Sequence, residues 1–393
     1  MTAPYPIGVL GGGRVGQHLA VELGRLGTRV LMFDERKERL TSFLAEAGPA
    51  GEVAVASSLR ELVEHLEPPR RILLSLAEDE PAFELLDALT AMIEPSDVVA
   101  DLSHSYFKKT ERREALMARP GARYLDVGAC AASAGAGPLR YVFHVGGHRV
   151  AFEIVRSILE KLAPSVDGPA VAYLGPAGAG HMVANVAESI ELAFQKALLE
   201  LALVESTGTG LPLPPAQTGD RLRMQEAVRR VARTALDFSV FAPTLSAGIL
   251  VGVSRPTESW RRRPDLPPPL PAAPPAGWTE SDPAVAATVV SASVVSQGFN
   301  LISAVAEQLD YGTRLSDVSR VWRGIAGFDR DVLDVVTAGL RGAHSPSPVG
   351  EEVLHSFIES RLPALRRVVA RCALSGVPVP VFSSALTYLE QTA

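Results

Sequence analysis

The most constraining stretch of this chain is short. An apolar run over residues 7–10 leads directly into Gly11-Gly12-Gly13-Arg14-Val15-Gly16, and an amphipathic helical pattern follows over 15–26. Such a strand, turned into a helix through glycines at these spacings, leaves few choices. Gly11 permits the tight turn, Gly13 lets the backbone approach an anion, and Gly16 lets helix and strand pack closely. The unsatisfied N–H groups of the helix N-terminus then face the anion. Asp34 stands 18 residues beyond Gly16, at the end of the next apolar run, where a carboxylate accepts from the ribose hydroxyls of an adenosine. These residues read as a dinucleotide-binding turn. Gly11, Gly13, Arg14, Val15, Gly16 and Asp34 are expected at the cofactor, with Leu76 and Ala77 at the end of a later strand. Asp34 and Glu35 repel a 2′-phosphate, softened by Arg36 and Lys37, so NAD is the expected cofactor and NADP the alternative.

Further apolar runs at 28–33, 53–56, 72–76, 98–101, 124–127 and 141–145 alternate with helical patterns, as in a parallel sheet covered by helices. After about residue 175 strand signals almost vanish and helical spacing takes over. The expected architecture is an α/β Rossmann-like domain over 1–176 followed by an all-α domain over 177–393. Residues 255–283 break the helical half with nine prolines and the cluster Arg261-Arg262-Arg263. Proline lacks a backbone donor and cannot continue a helix, so this stretch reads as an extended surface excursion. It is either a tolerated insertion or a lid or partner-binding arm.

Charge and cysteine content narrow the partners. The 38 basic and 44 acidic side chains are spread along the chain without a block of five like charges, which argues against nucleic acid. Two cysteines give no disulfide framework, and the first residues do not resemble a leader peptide, so the cytoplasm is the expected compartment. Residues 284–306 carry no charge, a length that could cross a bilayer. Thr288, Ser291, Ser293, Ser296, Gln297, Asn300 and Ser303 interrupt that run, and a buried helix within the protein explains the mixture better than a membrane span.

Several segments carry a resemblance over nearly the whole length. They are the glycine turn, Asp101-Leu-Ser-His-Ser105 with Arg112-Arg113, Asp126-Val-Gly128, Gly146-Gly147, Gly175-Pro-Ala-Gly-Ala-Gly-His181, Ser296-Gln-Gly-Phe299, Val321-Trp-Arg-Gly324 and the segment from Gly376 to Leu386. In order and spacing the chain resembles 6-phosphogluconate dehydrogenase and the wider β-hydroxyacid dehydrogenase superfamily. The resemblance implies hydride transfer from a secondary alcohol to a nicotinamide, a helical domain that supplies substrate contacts, and a homodimer. It also implies a lysine acting as general base and then acid, and that position is Ala184. The glutamate seven residues later is kept as Glu191. An asparagine four residues after the lysine is replaced by Glu188, and a substrate-contacting tyrosine by Leu192. The Ser-Gly-Gly that grips the substrate carboxylate corresponds to Cys130-Ala131-Ala132, and the asparagine of Asp-Gly-Gly-Asn-Ser to His104. The arginine and histidine of the family's C-terminal tail have no counterpart before Ala393.

The chain has five lysines, Lys37, Lys108, Lys109, Lys161 and Lys196, and Lys196 lies more than three helical turns from Ala184. Chemistry must come from other groups. At 100° per residue His181, Ala184, Glu188, Glu191 and Gln195 share an arc of roughly 80° on one helix face, surrounded by apolar residues. Two carboxylates so close disfavour double ionisation, so one should rise toward the range of a general acid; the alternative is a face paired with arginines. His104, at the C-terminal end of a strand, could relay a proton or stand as a hydrogen-bonded structural group. The expected catalytic groups are therefore His104, Glu188 and Glu191, with Ser105, Cys130, His181 and Ala184 near the substrate. Cys130 shows no partner histidine or lysine in sequence and reads as a packing residue. No metal is implied. Three readings stay open: an NAD-linked oxidoreductase acting on a small hydroxy acid or related alcohol or carbonyl less anionic than a phosphorylated sugar acid, an imine reductase-like enzyme, and an inert NAD-binding dimer.

Overall fold

Ile7-Gly8-Val9-Leu10 is buried at every position, which marks a central parallel strand covered on both faces. The same holds for most of its neighbours. In the computed structural model, which describes residues 4–40, 52–76, 80–132, 139–206, 221–253, 275–342 and 352–392, eight strands form one sheet. They are β1 (Ile7–Leu10), β2 (Val30–Phe33), β3 (Val53–Val55), β4 (Arg71–Leu74), β5 (Val98–Asp101), β6 (Arg123–Ala131), β7 (Tyr141–Gly147) and β8 (Val171–Gly175), in the order β3-β2-β1-β4-β5-β6-β7-β8. Every neighbouring pair is parallel except β6 and β7.

Two features of the sheet differ from the sequence expectation. The run at 141–145 extends to Gly147 and pairs antiparallel, with Gly128 opposite His144 and Cys130 opposite Val142. Strand β8 was not expected at all. Its five residues lie between Pro169 and Pro176, and that short run gives too little alternation to read.

The helices of the first half, α1 (Arg14–Arg25), α2 (Leu59–Glu64), α3 (Glu80–Thr90), α4 (Phe107–Ala118) and α5 (Arg149–Leu162), provide the sheet's connections. Thereafter the described residues are helical: α6 (Ala179–Ser206), α7 (Arg221–Asp237), α8 (Pro243–Val253), α9 (Asp282–Gln308), α10 (Leu315–Trp322), α11 (Arg330–Gly342), α12 (Glu352–Glu359), α13 (Leu362–Leu374) and α14 (Pro380–Thr392). The chain forms an α/β Rossmann-like part followed by a helical part. It divides into two compact units, one of Met1–Ala184 with Tyr311–Ala326, the other of Asn185–Asp310 with Gly327–Ala393.

In the first unit, the segment that returns after α9 clasps the last strands. Trp322 Nε1 donates to His144 Nε2 at 3.0 Å, and the Arg320 guanidinium donates to the carbonyls of Pro169 and Val171. The first turn of α6 presses on the sheet itself. A Cβ on Gly180 would lie 2.5 Å from the carbonyl oxygens of both Asp126 and His144, and a Cβ on Gly128 would collide with the Ala184 methyl. Asp126 locks this contact by accepting from the backbone N–H of Gly178 at 3.0 Å and of His181 at 2.7 Å.

In the second unit α9 is the core helix. It is long and apolar enough to cross a bilayer by length and composition, but 83% of its most apolar window is buried inside the protein. Gln297 uses its buried polar face to hold α8, accepting from the N–H groups of Thr244 and Leu245 and donating to the Thr244 hydroxyl. The last helix is anchored similarly. Glu200, buried on α6, accepts from the N–H groups of Val381 and Phe382 in the first turn of α14. Of the proline-rich stretch, residues 254–274 lie outside the described residues. Its end differs from the expectation, because Asp282 and Pro283 already belong to α9, and proline is tolerated in a first helical turn.

Two predictions test these contacts. Gly180→Ala should destabilise the protein by about 3 kcal/mol, since the neighbours are backbone oxygens that cannot step aside; a guanidinium melt with an unchanged midpoint contradicts the close approach. Burial pushes Glu200 up to about 7 against the pull of two amides. A carboxyl whose folded pKa is raised stabilises fully below its unfolded value near 4.5 and loses that contribution as pH rises to 7. Glu200→Gln keeps an acceptor and should therefore gain up to about 3 kcal/mol over the wild type at pH 8 but little at pH 4, read from melts at both pH values.

Candidate functional site

The glycine turn is built as its spacing requires. Gly11 has φ of 113°, and a Cβ there would collide with the Ser75 carbonyl. A Cβ on Gly16 would collide with the Gly11 carbonyl oxygen, so helix and turn meet backbone to backbone. Gly13 faces open space, with nothing within 4 Å of its ideal Cβ, and caps α1 in an extended conformation. The helix it opens has neither a side-chain cap nor an acid in its first turn. Such an N-terminus offers its N–H groups to an anion.

Asp34 closes the other side of the turn. Its Oδ2 accepts from the Gly12 N–H at 2.6 Å and its Oδ1 from the Arg36 N–H at 2.7 Å. Gln17 ties the turn down from α1 by donating to the carbonyls of Gly12 and Arg39. A carboxylate has about four lone-pair sites, so Asp34 retains acceptor capacity for a ribose after these bonds. Arg39 and Arg36 stand 3.7 and 3.9 Å from its oxygens. Both are more exposed than the aspartate, and Arg39 is a second cation beside it that the sequence reading did not single out. The turn, the open Gly13 and the acceptor at Asp34 together fit an adenine dinucleotide.

After β4 and β5 come the loops bearing the next expected residues. Leu76 is partly buried and its N–H donates to the Ser103 hydroxyl oxygen at 3.0 Å. Ala77 lies outside the described residues. Ser103 N–H donates to Asp101 Oδ1 at 2.9 Å, and Ser105 N–H to the Ser103 carbonyl at 2.8 Å. Ser105 is fully buried, while His104 between them is exposed. Asp101 itself is the centre of a buried cluster, accepting from Arg113 Nη1 at 2.6 Å and from the Tyr124 hydroxyl at 2.7 Å. Burial opposes its charge, but Arg113, His181 and a hydrogen bond from the Ser103 side chain outweigh that and hold it at about 2.

His181 and Cys130, expected near the substrate, sit inside the protein. His181 is 1% exposed; Nδ1 lies 3.0 Å from the Thr110 hydroxyl and Nε2 3.2 Å from the Asp101 carbonyl, so both ring nitrogens are engaged. Cys130 is buried with its Sγ 4.0 Å from Nδ1 of His144, a neighbour the sequence did not reveal because it depends on the antiparallel register of β6 and β7. The Trp322 indole donates to His144 Nε2, which leaves the ring proton on Nδ1. Burial lowers His144 to about 4, against a hydrogen bond to the Gly128 carbonyl. The imidazole is neutral and supplies no positive charge that would activate the thiol. Ala184 is 4% exposed, with its methyl against Gly128.

Glu188 and Glu191 belong to the second unit, on later turns of α6. Burial and then the charge of Glu188 raise the Glu191 carboxyl to about 7, opposed by a hydrogen bond from Gln195 at 3.3 Å. Its Cγ packs 3.9 Å from where a Cβ on Gly327 would lie. Among the described residues no group of three or more His, Cys, Asp and Glu is arranged to hold a metal ion.

Comparison with known proteins decides the family. Residues 6–175 match the NAD binding domain of 6-phosphogluconate dehydrogenase, and residues 279–393 match the 6-phosphogluconate dehydrogenase C-terminal domain. The chain belongs to the 6-phosphogluconate dehydrogenase and β-hydroxyacid dehydrogenase superfamily. It is 26% identical over 435 residues to the decarboxylating 6-phosphogluconate dehydrogenase of Synechococcus elongatus, covering 98% of this chain and 91% of that protein. It is also 26% identical over 442 residues to the NADP(+)-dependent, decarboxylating enzyme of Bacillus subtilis, with the same coverage. A solved structure of Plasmodium falciparum 6-phosphogluconate dehydrogenase shares the fold, with a TM-score of 0.83 and 19% identity over 99% of this chain and 92% of that one. The first domain of this superfamily member is thus an NAD(P)-binding domain.

Within that domain Asp34 should set the choice between the two cofactors. Asp34→Ser removes charge-assisted acceptors worth about 1.5–3 kcal/mol to a ribose and leaves Arg36 and Arg39 for a 2′-phosphate. NADH affinity should fall roughly tenfold to a hundredfold while NADPH affinity rises, as measured by fluorescence titration. Equal changes for both nucleotides would contradict this role.

Proposed function

We propose that this chain is an NAD-linked oxidoreductase acting on a hydroxy acid or a related secondary alcohol or carbonyl compound, with Glu191 as its acid–base group. In this reading residues 1–176 hold the cofactor and residues 177–393 hold the substrate and the contacts of a cytoplasmic homodimer. The observation that carries it is the Glu191 carboxyl raised to about 7 by burial and by Glu188, because a proton-transfer group works best with a pKa near the working pH. Ala184 stands where the resemblance places a lysine, so the proton has to move through another residue.

The roles follow from chemistry. Bound nicotinamide would supply the hydride acceptor. Glu191 takes the hydroxyl proton of the alcohol through its carboxylate oxygen and returns it in the reverse direction. Glu188 keeps that proton exchangeable near neutrality through its charge. His104, exposed at the C-terminal end of β5, polarises the carbonyl or relays the proton to solvent. Ser105, Cys130, His181 and Ala184 are buried and serve behind the reacting groups, by holding backbone in place. A substrate with fewer negative charges than a phosphorylated sugar acid suits this chain, since each replaced charge-assisted contact removes about 1.5–3 kcal/mol of binding.

Hydride transfer measured with a panel of hydroxy acids, alcohols, ketones and imines tests the proposal. Oxidation should rise with pH through an inflection near 7 as Glu191 loses its proton, and reduction should fall through the same inflection. Glu191→Gln should remove the inflection and lower the rate by about 10²–10⁴. An inflection that survives the substitution rules out Glu191. Tight cofactor binding with no turnover across the panel would favour an inert NAD-binding protein.

A further inference from the structure

The polar groups behind the glycine turn form a closed circuit within the first unit. Gly12 enters it through both of its backbone groups: the N–H donates to Asp34 Oδ2 at 2.6 Å, and the carbonyl accepts from Gln17 Nε2 at 2.9 Å. The same amide nitrogen donates to the Arg39 carbonyl at 3.1 Å. The Arg39 N–H donates to the Arg36 carbonyl at 3.0 Å, and the Arg36 N–H returns to Asp34 Oδ1 at 2.7 Å. Gln17 is thus the side chain that ties the turn after β1 to the segment after β2.

Chemistry fixes its orientation. Both partners are carbonyl oxygens, which accept and cannot donate, so the amide must present its NH2 to them and uses both protons there. The side chain projects from a backbone that α1 already holds, since the Gln17 N–H donates to the Gly13 carbonyl at 2.9 Å. The far end of the circuit carries a charge. Arg39 Nη1 stands 3.7 Å from Asp34 Oδ2. Asp34 is the acceptor assigned to the adenosine ribose, so a cation held there offsets the aspartate's repulsion of a 2′-phosphate, whereas a 2′-hydroxyl requires an acceptor alone. Leu40, the next residue, is buried against the same turn: a Cβ on Gly12 would come within 3.1 Å of its Cδ2. Losing the amide therefore releases the backbone at Arg39 without unfolding the segment.

We propose that Gln17 is a positioning residue for cofactor choice, because its amide holds Arg39 beside Asp34 and so sets how well a 2′-phosphate is tolerated at the adenosine end. The inference rests on the cofactor reading above. It assigns Gln17 no contact with the nucleotide; Gln17 acts through Arg39. Without the amide the Gly12 carbonyl loses its donor, which loosens the turn for either nucleotide, and Arg39 moves off Asp34, which weakens the phosphorylated one further.

Binding to the full-length protein provides the test. Dissociation constants for NADH and NADPH are measured by fluorescence titration on wild type, Gln17→Met, Arg39→Ala and the double variant, all at one ionic strength because exposed charges are screened by salt. Methionine is similar in length and helix propensity and has no donor. Gln17→Met should raise the ratio of the NADPH Kd to the NADH Kd about tenfold, equivalent to about 1.4 kcal/mol. Arg39→Ala should raise that ratio by a similar factor. In the Arg39→Ala background Gln17→Met should change it by less than about twofold, because the two residues act in series. Where the methionine variant does not fold, Gln17→Leu takes its place with the same expectation. A ratio that Gln17→Met leaves unchanged, or a shift that persists in full without Arg39, would overturn the proposal. Wild-type protein that binds neither nucleotide would instead remove the cofactor reading, and that result is visible before any substitution is made.

Discussion

The first turn of α6 lies directly on the backbone of β6 and β7, and much of the first unit depends on that approach. Gly180 and Gly128 have no side chains to hold helix and strand apart, and a Cβ on Gly146 would meet the Asp126 carboxylate and the Pro176 carbonyl. Asp126 then accepts two N–H groups that the helix start leaves unsatisfied. This carboxyl is itself raised by burial, with His181 and the two backbone bonds pulling the other way. The contact aligns His181 with Thr110 and with the end of β5, so one close approach links three neighbouring strands and α4. Glycine here serves packing distance, and the site inherits its geometry from it.

The shape of the glycine turn was legible because its signal is local. Gly11, Gly13, Gly16 and Asp34 act through backbone conformation and short spacing, and the same residues form the turn, the open approach and the acceptor in the structure. What stayed hidden depends on partners far away in sequence. His144 meets Cys130 only because β6 and β7 run antiparallel, and a register between strands cannot be read from either strand alone. His181 shared a helical face with Glu188 and Glu191, but helical periodicity says only which residues share a face and not what meets that face along the helix. At position 181 the neighbours are Thr110 and Asp101, so the imidazole is engaged inside the first unit. Ser103 stands within Asp101-Leu-Ser-His-Ser105, a motif that does not show what its hydroxyl meets. Its meaning comes from Leu76, 27 residues earlier on the neighbouring strand's loop.

Two carboxylates show how environment divides one chemistry into different jobs. Asp101 is completely buried and yet remains ionised at about 2, because Arg113 and several donors supply more than burial removes. Glu191 is less deeply buried and still rises to about 7, because burial and then the charge of Glu188 outweigh the long hydrogen bond from Gln195. The first group cannot exchange a proton near neutrality and is suited to holding structure. The second can exchange one and is suited to chemistry. Surroundings rather than carboxyls therefore set these roles: without Arg113, the largest of the groups that oppose its burial, the Asp101 carboxyl would rise. The buried ion pair is therefore what keeps Asp101 charged at the end of β5.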